Sequence, residues 1–99
     1  MKHIACRVVV EGVVQGVGFR RSAMAQARAR HVAGWIRNTE DGEVEMQVEG
    51  LPASVQGIVA WMHRGPQAAQ VTGVRVEESE ILGATVFAKR PTLAVEAVG

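Results

Sequence analysis

The chain has 99 residues, enough for one hydrophobic core and too few for two. Its 47% hydrophobic content excludes a disordered chain, and a net charge of +1 supplies neither the basic field of a nucleic-acid binder nor an acidic solvating tail. The single cysteine, Cys6, excludes an internal disulfide and suits a reducing compartment. Arg7 interrupts the N-terminal apolar run before it reaches the length of a signal-peptide core, and no apolar run approaches membrane-spanning length. A soluble cytoplasmic protein with a single domain over residues 1–99 is expected, with its core at about 4–89.

The β-branched run Ala5–Val10 predicts a first strand. Gly12-Val13-Val14-Gln15-Gly16-Val17-Gly18-Phe19-Arg20 follows, and Ser22–Arg30, rich in alanine and other strong helix formers, predicts a helix. A glycine loop between a strand and a helix presents free backbone N–H groups to an anion. Arg20 adds a planar cation suited to phosphate oxygens. Gln15, Gly16, Val17, Gly18, Phe19 and Arg20 are therefore the candidate phosphate-binding residues. The loop is not a dinucleotide fingerprint, because the third glycine is missing, and no Gly-Lys-Ser/Thr follows to make a nucleoside-triphosphate loop. Taken alone, it favours a tight strand-to-helix turn without a ligand.

Val32–Arg37 predicts a second strand, and Asn38–Gly42 is turn chemistry ending in Asp-Gly. Glu43–Glu49 alternates strictly, which predicts a third strand with one buried face and one solvated face carrying Glu43, Glu45, Gln47 and Glu49. Pro52 opens a second helix whose Val55, Ile58, Val59 and Met62 share one face, with Gly65-Pro66 as its stop. Gly57 within it costs roughly 1 kcal/mol relative to alanine. Val71–Glu78 predicts a fourth strand with Thr72, Val74 and Val76 on one side, and Thr85–Lys89 a short fifth. The tail from Pro91 to Gly99 is expected to be extended or poorly ordered.

The order βαββαβ plus a final strand predicts an α+β sandwich of the ferredoxin-like kind. An antiparallel sheet carries two helices on one face and a short C-terminal strand. A strand–helix–strand crossover returns the second strand parallel to the first. The ends of strands one and two then share one sheet edge, so Arg20 and Asn38 can converge on one site. On spacing alone, Asn38 reads equally as a turn residue bonding its own backbone.

The glycine segment resembles the phosphate-loop signature of the acylphosphatase family, and Gly34-Trp35-Ile36-Arg37-Asn38-Thr39-Glu40-Asp41-Gly42 resembles its second signature. Helix two, with Trp61 and Gly65-Pro66, is also similar, and the resemblance runs from about Ile4 to Lys89. It implies a ferredoxin-like enzyme that hydrolyses acyl phosphates to a carboxylate and inorganic phosphate, with no metal or organic cofactor. It implies that Arg20 and loop N–H groups bind the phosphoryl group and that Asn38 positions the attacking water, making Arg20 and Asn38 the catalytic pair. Arg30 stands where the family generally has an apolar residue, His31 where a glycine usually ends the helix, and Ser22 near a position often aromatic. These departures bear on the packing of helix one.

The chemistry is consistent with this implication. The leaving carboxylate belongs to an acid of pKa about 4, so it departs without a general acid. The work left is to hold the phosphoryl group, spread its charge and aim a water in line. His3, His31 and His63 lack metal-ligand spacing, which argues against zinc. Arg21 reads as a surface residue at the helix start with a secondary anion contact as the alternative, and Cys6 as a small strand residue. Trp35 and Trp61 read as packing residues, Trp35 with a place in the substrate wall as its alternative. The competing function is a non-catalytic phosphate-binding or regulatory module on the same fold. An RNA-binding sheet is disfavoured by the 4% aromatic content, the missing tyrosine and the acidic third strand. The expected partner is a small-molecule acyl phosphate, with no nucleic acid and no membrane, and the expected state is a monomer.

Overall fold

A computed structural model describes residues 2–92. Its elements are β1 (Ile4–Val13), α1 (Phe19–Ala29), β2 (Ala33–Asn38), β3 (Val44–Gly50), α2 (Pro52–Met62), β4 (Gln70–Glu78) and β5 (Phe87–Lys89). The strands form one sheet in the order β4-β1-β3-β2-β5. The first four pair antiparallel, and β5 joins β2 in parallel, so the sheet is mixed. This is the ferredoxin-like α+β fold expected. Because β1 and β2 both run antiparallel to β3, they run parallel to each other, as the crossover argument requires.

The inward residues of the sheet, Val8, Val10, Ile36, Met46 and Val48, are fully or nearly fully buried. They form one core with Phe19, Ala23 and Ala27 of α1 and with Val55, Ile58 and Met62 of α2. Small residues on α1 let its backbone lie close to the sheet. Phe19 and Trp61 pack with ring centroids 5.4 Å apart and tie the start of α1 to α2.

The polar face of β3 is not solvated as its alternation predicts. Gln47 is 1% exposed and Glu49 is 3% exposed. The reason is topological. β4 and β5 lie at opposite edges of the sheet, so residues 79–86 between them must cross a whole face. The helices occupy one face, and the connection takes the other. There Glu49 accepts backbone N–H bonds from Leu82, Gly83 and Ala84 at 2.9–3.2 Å. Gln47 Nε2 donates to Ser79 Oγ at 2.8 Å and to the Glu80 carbonyl at 3.2 Å. Arg7 and Arg37 both reach Glu45 and both lie over the Trp35 ring, as does Arg90.

Three other expectations shift. α1 begins at Phe19 rather than Ser22, because Gly18 ends the loop in a left-handed conformation with no side-chain cap. Thr72 is exposed and does not pack on the core beside Val74. A register shift between Glu11 and Gly12 puts Val71 opposite Gly12, and it is Val71 that packs on the core with Val74. The fifth strand is shorter than expected, Phe87–Lys89. The expectation for the C-terminal tail falls, from residue 93 on, outside the described residues. Among the described residues no helix is long and apolar enough to cross a membrane.

Two of the three departures, Arg30 and His31 at the end of α1, find physical accounts. Gly57 faces the Arg30 guanidinium so closely that an added Cβ would lie 2.7 Å from Nη1. The glycine that weakens α2 thus makes room for Arg30. His31 has φ 58° and is the non-glycine residue with positive φ among those described. A left-handed conformation costs an L-residue roughly 1–2 kcal/mol, which glycine avoids. His31→Gly is therefore expected to stabilise the fold by about 1 kcal/mol, raising Tm by roughly 4–8 °C for a domain of this size. A thermal melt checks this, and an unchanged or lowered Tm would mean that the His31 side chain contributes more than its backbone costs.

Candidate active site

The chain leaves β1 at Val13, turns through Val14 to Gly18 and enters α1 at Phe19. Gly16 has φ 74° and Gly18 has φ 78°, both left-handed. An added Cβ would meet nothing within 4 Å at either position, so backbone conformation rather than space calls for glycine here. The first i→i−4 bond of α1 runs from the Ser22 N–H to the Gly18 carbonyl at 3.0 Å. The N–H groups of the turn before it have no intrahelical acceptor, no side chain caps them, and the first turn carries no acid. The loop thus ends on an uncapped helix N-terminus, whose partial positive charge favours an anion.

The Gln15 side chain ties the loop to the neighbouring hairpin. Its side-chain Nε2 donates to the carbonyls of Thr39 and Glu43, each at 2.8 Å. Thr39 and Glu43 close the β2–β3 hairpin on each other through the Thr39 N–H, at 2.9 Å, and the Glu43 N–H to Thr39 Oγ1, at 3.1 Å. The amide of Gln15 therefore fastens the loop to the turn that follows Asn38.

A cavity of about 590 Å³ opens where these elements meet. Gly16, Gly18, Phe19, Arg20 and Asn38 all line it, so the two halves of the expected site come together. Gln15 and Val17 do not line it. Phe19 is 1% exposed, its ring committed to the core. Asn38 ends β2 opposite Val44, and its Oδ1 is buried with no hydrogen-bond partner among the described residues. A buried amide oxygen left unpaired costs on the order of 1–3 kcal/mol, and an approaching O–H group would recover that cost.

The remaining lining includes four residues outside the expected set: Arg21 and Arg28 from α1, Met24 between them, and Lys89 from β5. Arg21 was foreseen only as an alternative contact. Lys89 was legible as a strand residue, but only the parallel pairing of β5 with β2, Lys89 opposite Ile36, brings it here. No Asp, Glu, His or Cys lines the cavity. Trp35 lies instead on the opposite sheet face, among Arg7, Arg37 and Arg90, and takes no part in the wall. Among the described residues no group of three or more His, Cys, Asp or Glu is placed to hold a metal. The Cys6 thiol is pushed above its ordinary pKa, first by burial and then by the Glu78 charge, which keeps it protonated.

A chamber with backbone donors, cations and an unpaired amide, but no titrating acid or base, can hold a phosphoryl group and orient a water. Comparison with known proteins gives the same direction. The family model described as Acylphosphatase matches residues 6–88. An acylphosphatase of Anaeromyxobacter dehalogenans is 53% identical over 75 residues, 76% of this chain and 81% of that one. One from Thermococcus kodakarensis is 44% identical over 87 residues, 88% of this chain and 96% of that one. The crystal structure of an acylphosphatase from Bacillus subtilis superposes with a TM-score of 0.85 at 36% identity, covering 88% of this chain and 98% of that one.

Removal of the Gln15 clamp tests the geometry. Gln15→Ala is expected to lower stability by about 1–2 kcal/mol in a urea titration, from two lost hydrogen bonds. It is also expected to weaken binding of inorganic phosphate in calorimetry. Unchanged phosphate affinity would show that the loop holds its shape without the hairpin.

Proposed function

The chain belongs to the acylphosphatase family and is an enzyme that hydrolyses acyl phosphates, and we propose that it does so by in-line attack of a water on a phosphoryl group held in the α1 cavity. The observation that carries this reading is that Arg20 and Asn38, on different elements, line one chamber in which Asn38 Oδ1 has no described partner.

Arg20 and the backbone N–H groups from Gly16 to Arg20 bind the non-bridging phosphoryl oxygens and spread their charge as it grows in the transition state. Asn38 accepts a hydrogen bond from the water through Oδ1 and holds it opposite the acyl oxygen. A bond forms between the water oxygen and phosphorus while the bond from phosphorus to the acyl oxygen breaks. The electron pair leaves on the carboxylate, whose conjugate acid is strong enough that no protonation is needed. The water's proton passes to a phosphate oxygen of the substrate, since Asn38 is no base at neutral pH. Phosphate monoesters, whose leaving alkoxide is far more basic, are poor substrates on this account.

Arg20 and Asn38 meet within one chain, so the working unit in this proposal is a monomer. One protonated thiol, Cys6, is in keeping with a reducing cytoplasm. Residues 4–89 act together as a single domain, since loop, hairpin and β5 all contribute to one chamber.

Benzoyl phosphate hydrolysis in the presence of chelator is the direct test. Arg20→Gln is expected to lower kcat/KM by about 10²–10³-fold, as loss of an oxyanion-type donor does, and to weaken inhibition by inorganic phosphate. Asn38→Ala is expected to lower kcat by a similar factor while leaving phosphate inhibition largely in place. Circular dichroism on the same preparations checks folding. A folded parent that binds phosphate without turnover would favour the non-catalytic phosphate-binding or regulatory module.

A further inference from the structure

Of the cations that line the cavity, Arg20, Arg21 and Arg28 come from α1, and Lys89 comes from the sheet. The chain carries nine arginines and two lysines, so a lysine at this place stands out from the background. Elsewhere the sheet arginines find acids: Arg7 and Arg37 pair with Glu45, and Arg75 with Glu11 and Glu43. Lys89 forms no ion pair among the described residues, and no carboxylate lines the cavity with it.

Its position follows from the parallel pairing of β5 with β2. Lys89 stands opposite Ile36, and Asn38 follows Ile36 by two residues. Ile36 is buried in the core, so Ile36 and Asn38 share the face on which the helices pack. Lys89 follows buried Phe87 by two residues and takes the same face. Asn38 therefore lies one pleat pair ahead of Lys89 on the neighbouring strand. That is a rise of about 6.6 Å, which a four-carbon lysine stem can span. α1 runs back against the strands, so its first residues, Phe19 and Arg20, lie at the Asn38 end. Arg28, in its last turn, lies at the other end and donates to the Phe87 carbonyl at 3.4 Å. Lys89 thus reaches toward Arg20 and Asn38, away from Arg28.

Resting on the hydrolytic reading above, we propose that Lys89 is a second phosphoryl-binding cation, which meets the non-bridging oxygens from the β5 side while Arg20 holds them from the α1 side. The charge of the ligand calls for one. A phosphoryl group carries about 1.5–2 negative charges at neutral pH. Arg20 supplies one positive charge, and an uncapped helix N-terminus supplies the equivalent of about one half. Together they fall short of a dianion, and Lys89 covers the remainder. Its ammonium is a compact charge on a flexible stem, so it can follow the oxygens as phosphorus moves from the acyl oxygen to the water. Asn38 keeps a different task, since its amide oxygen accepts from the water. The phosphoryl oxygens are anionic in substrate, transition state and product alike. Lys89 therefore raises affinity for acyl phosphate and for inorganic phosphate more than it raises kcat.

The two lysines allow a direct test. Trace acetylation of amines with acetic anhydride, read by peptide mass spectrometry, compares Lys89 with exposed Lys2 in the same molecules. Saturating inorganic phosphate is expected to slow labelling of Lys89 severalfold relative to Lys2. In Arg20→Gln the same protection is expected to need more phosphate. Lys89 is exposed, so its replacement leaves the core intact. Lys89→Gln is expected to raise the Kd for phosphate and the KM for benzoyl phosphate by about fivefold, the size of an exposed pairing, and Lys89→Arg to keep both near the parent's values. Labelling unmoved by phosphate that binds the parent would overturn the second cation and leave the hydrolytic reading intact. So would an unchanged Kd and KM in Lys89→Gln, or an equal loss in Lys89→Arg. Protection that ignores Arg20→Gln would put the phosphate at Lys89 in a separate site and overturn the shared one. A folded parent with neither phosphate binding nor turnover would overturn both readings.

Discussion

Two hydrogen bonds hold the halves of this site in one place. The Gln15 side-chain amide bridges the carbonyls of Thr39 and Glu43, fastening the glycine loop to the hairpin that carries Asn38. Arg20 sits on a helix start and Asn38 on a strand end, and the tie links the two directly, in addition to the core and the sheet that hold each element. The parallel relation of β1 and β2 brings the two ends to one side of the sheet, and the clamp sets their separation. Precise placement matters more here than strong interaction, because a water aimed at phosphorus contributes only when it lies in line.

The remaining architecture keeps this arrangement rigid. Phe19, the first residue of α1, is locked between the core and Trp61, so Arg20 follows from a fixed point. The chain from β4 to β5 crosses the far face of the sheet and is pinned there by Glu49 and Gln47. That crossing delivers β5 to the outer edge of β2, where Lys89 joins the cavity. A buried carboxylate used as a structural acceptor on one face, and a chamber without carboxylates on the other, share a logic. Acids are spent where backbone donors need them and withheld where an anionic substrate must approach.

Much of this was legible in the residues. The alternation in Glu43–Glu49, the stripe Val55, Ile58, Val59 and Met62, and the glycine loop each report a local period or a local backbone need, and the corresponding elements are present. Convergence of Arg20 and Asn38 followed from strand direction alone. What failed to show had, with one exception at the start of α1, non-local causes. The covering of Gln47 and Glu49 depends on which edges β4 and β5 occupy, and a period of two cannot distinguish water from a crossing loop. The bulge that puts Val71 rather than Thr72 on the core arises in the pairing of β4 with β1. The early start of α1 was hidden because its cap is a left-handed glycine rather than a side chain. The hydrogen bonds of the Gln15 side chain did not show either, since nothing local reveals a partner 24 residues away.

The central claim is that the cavity presents phosphorus, not the acyl carbon, to water. Hydrolysis of benzoyl phosphate by the parent in ¹⁸O-enriched water, over a single turnover, tests it most directly. Attack on a phosphoryl group held by Arg20 and the loop places the label in inorganic phosphate and leaves the benzoate unlabelled. Label in the benzoate would mean that water attacks the carbonyl carbon, and the roles given to Arg20 and Asn38 would then be wrong.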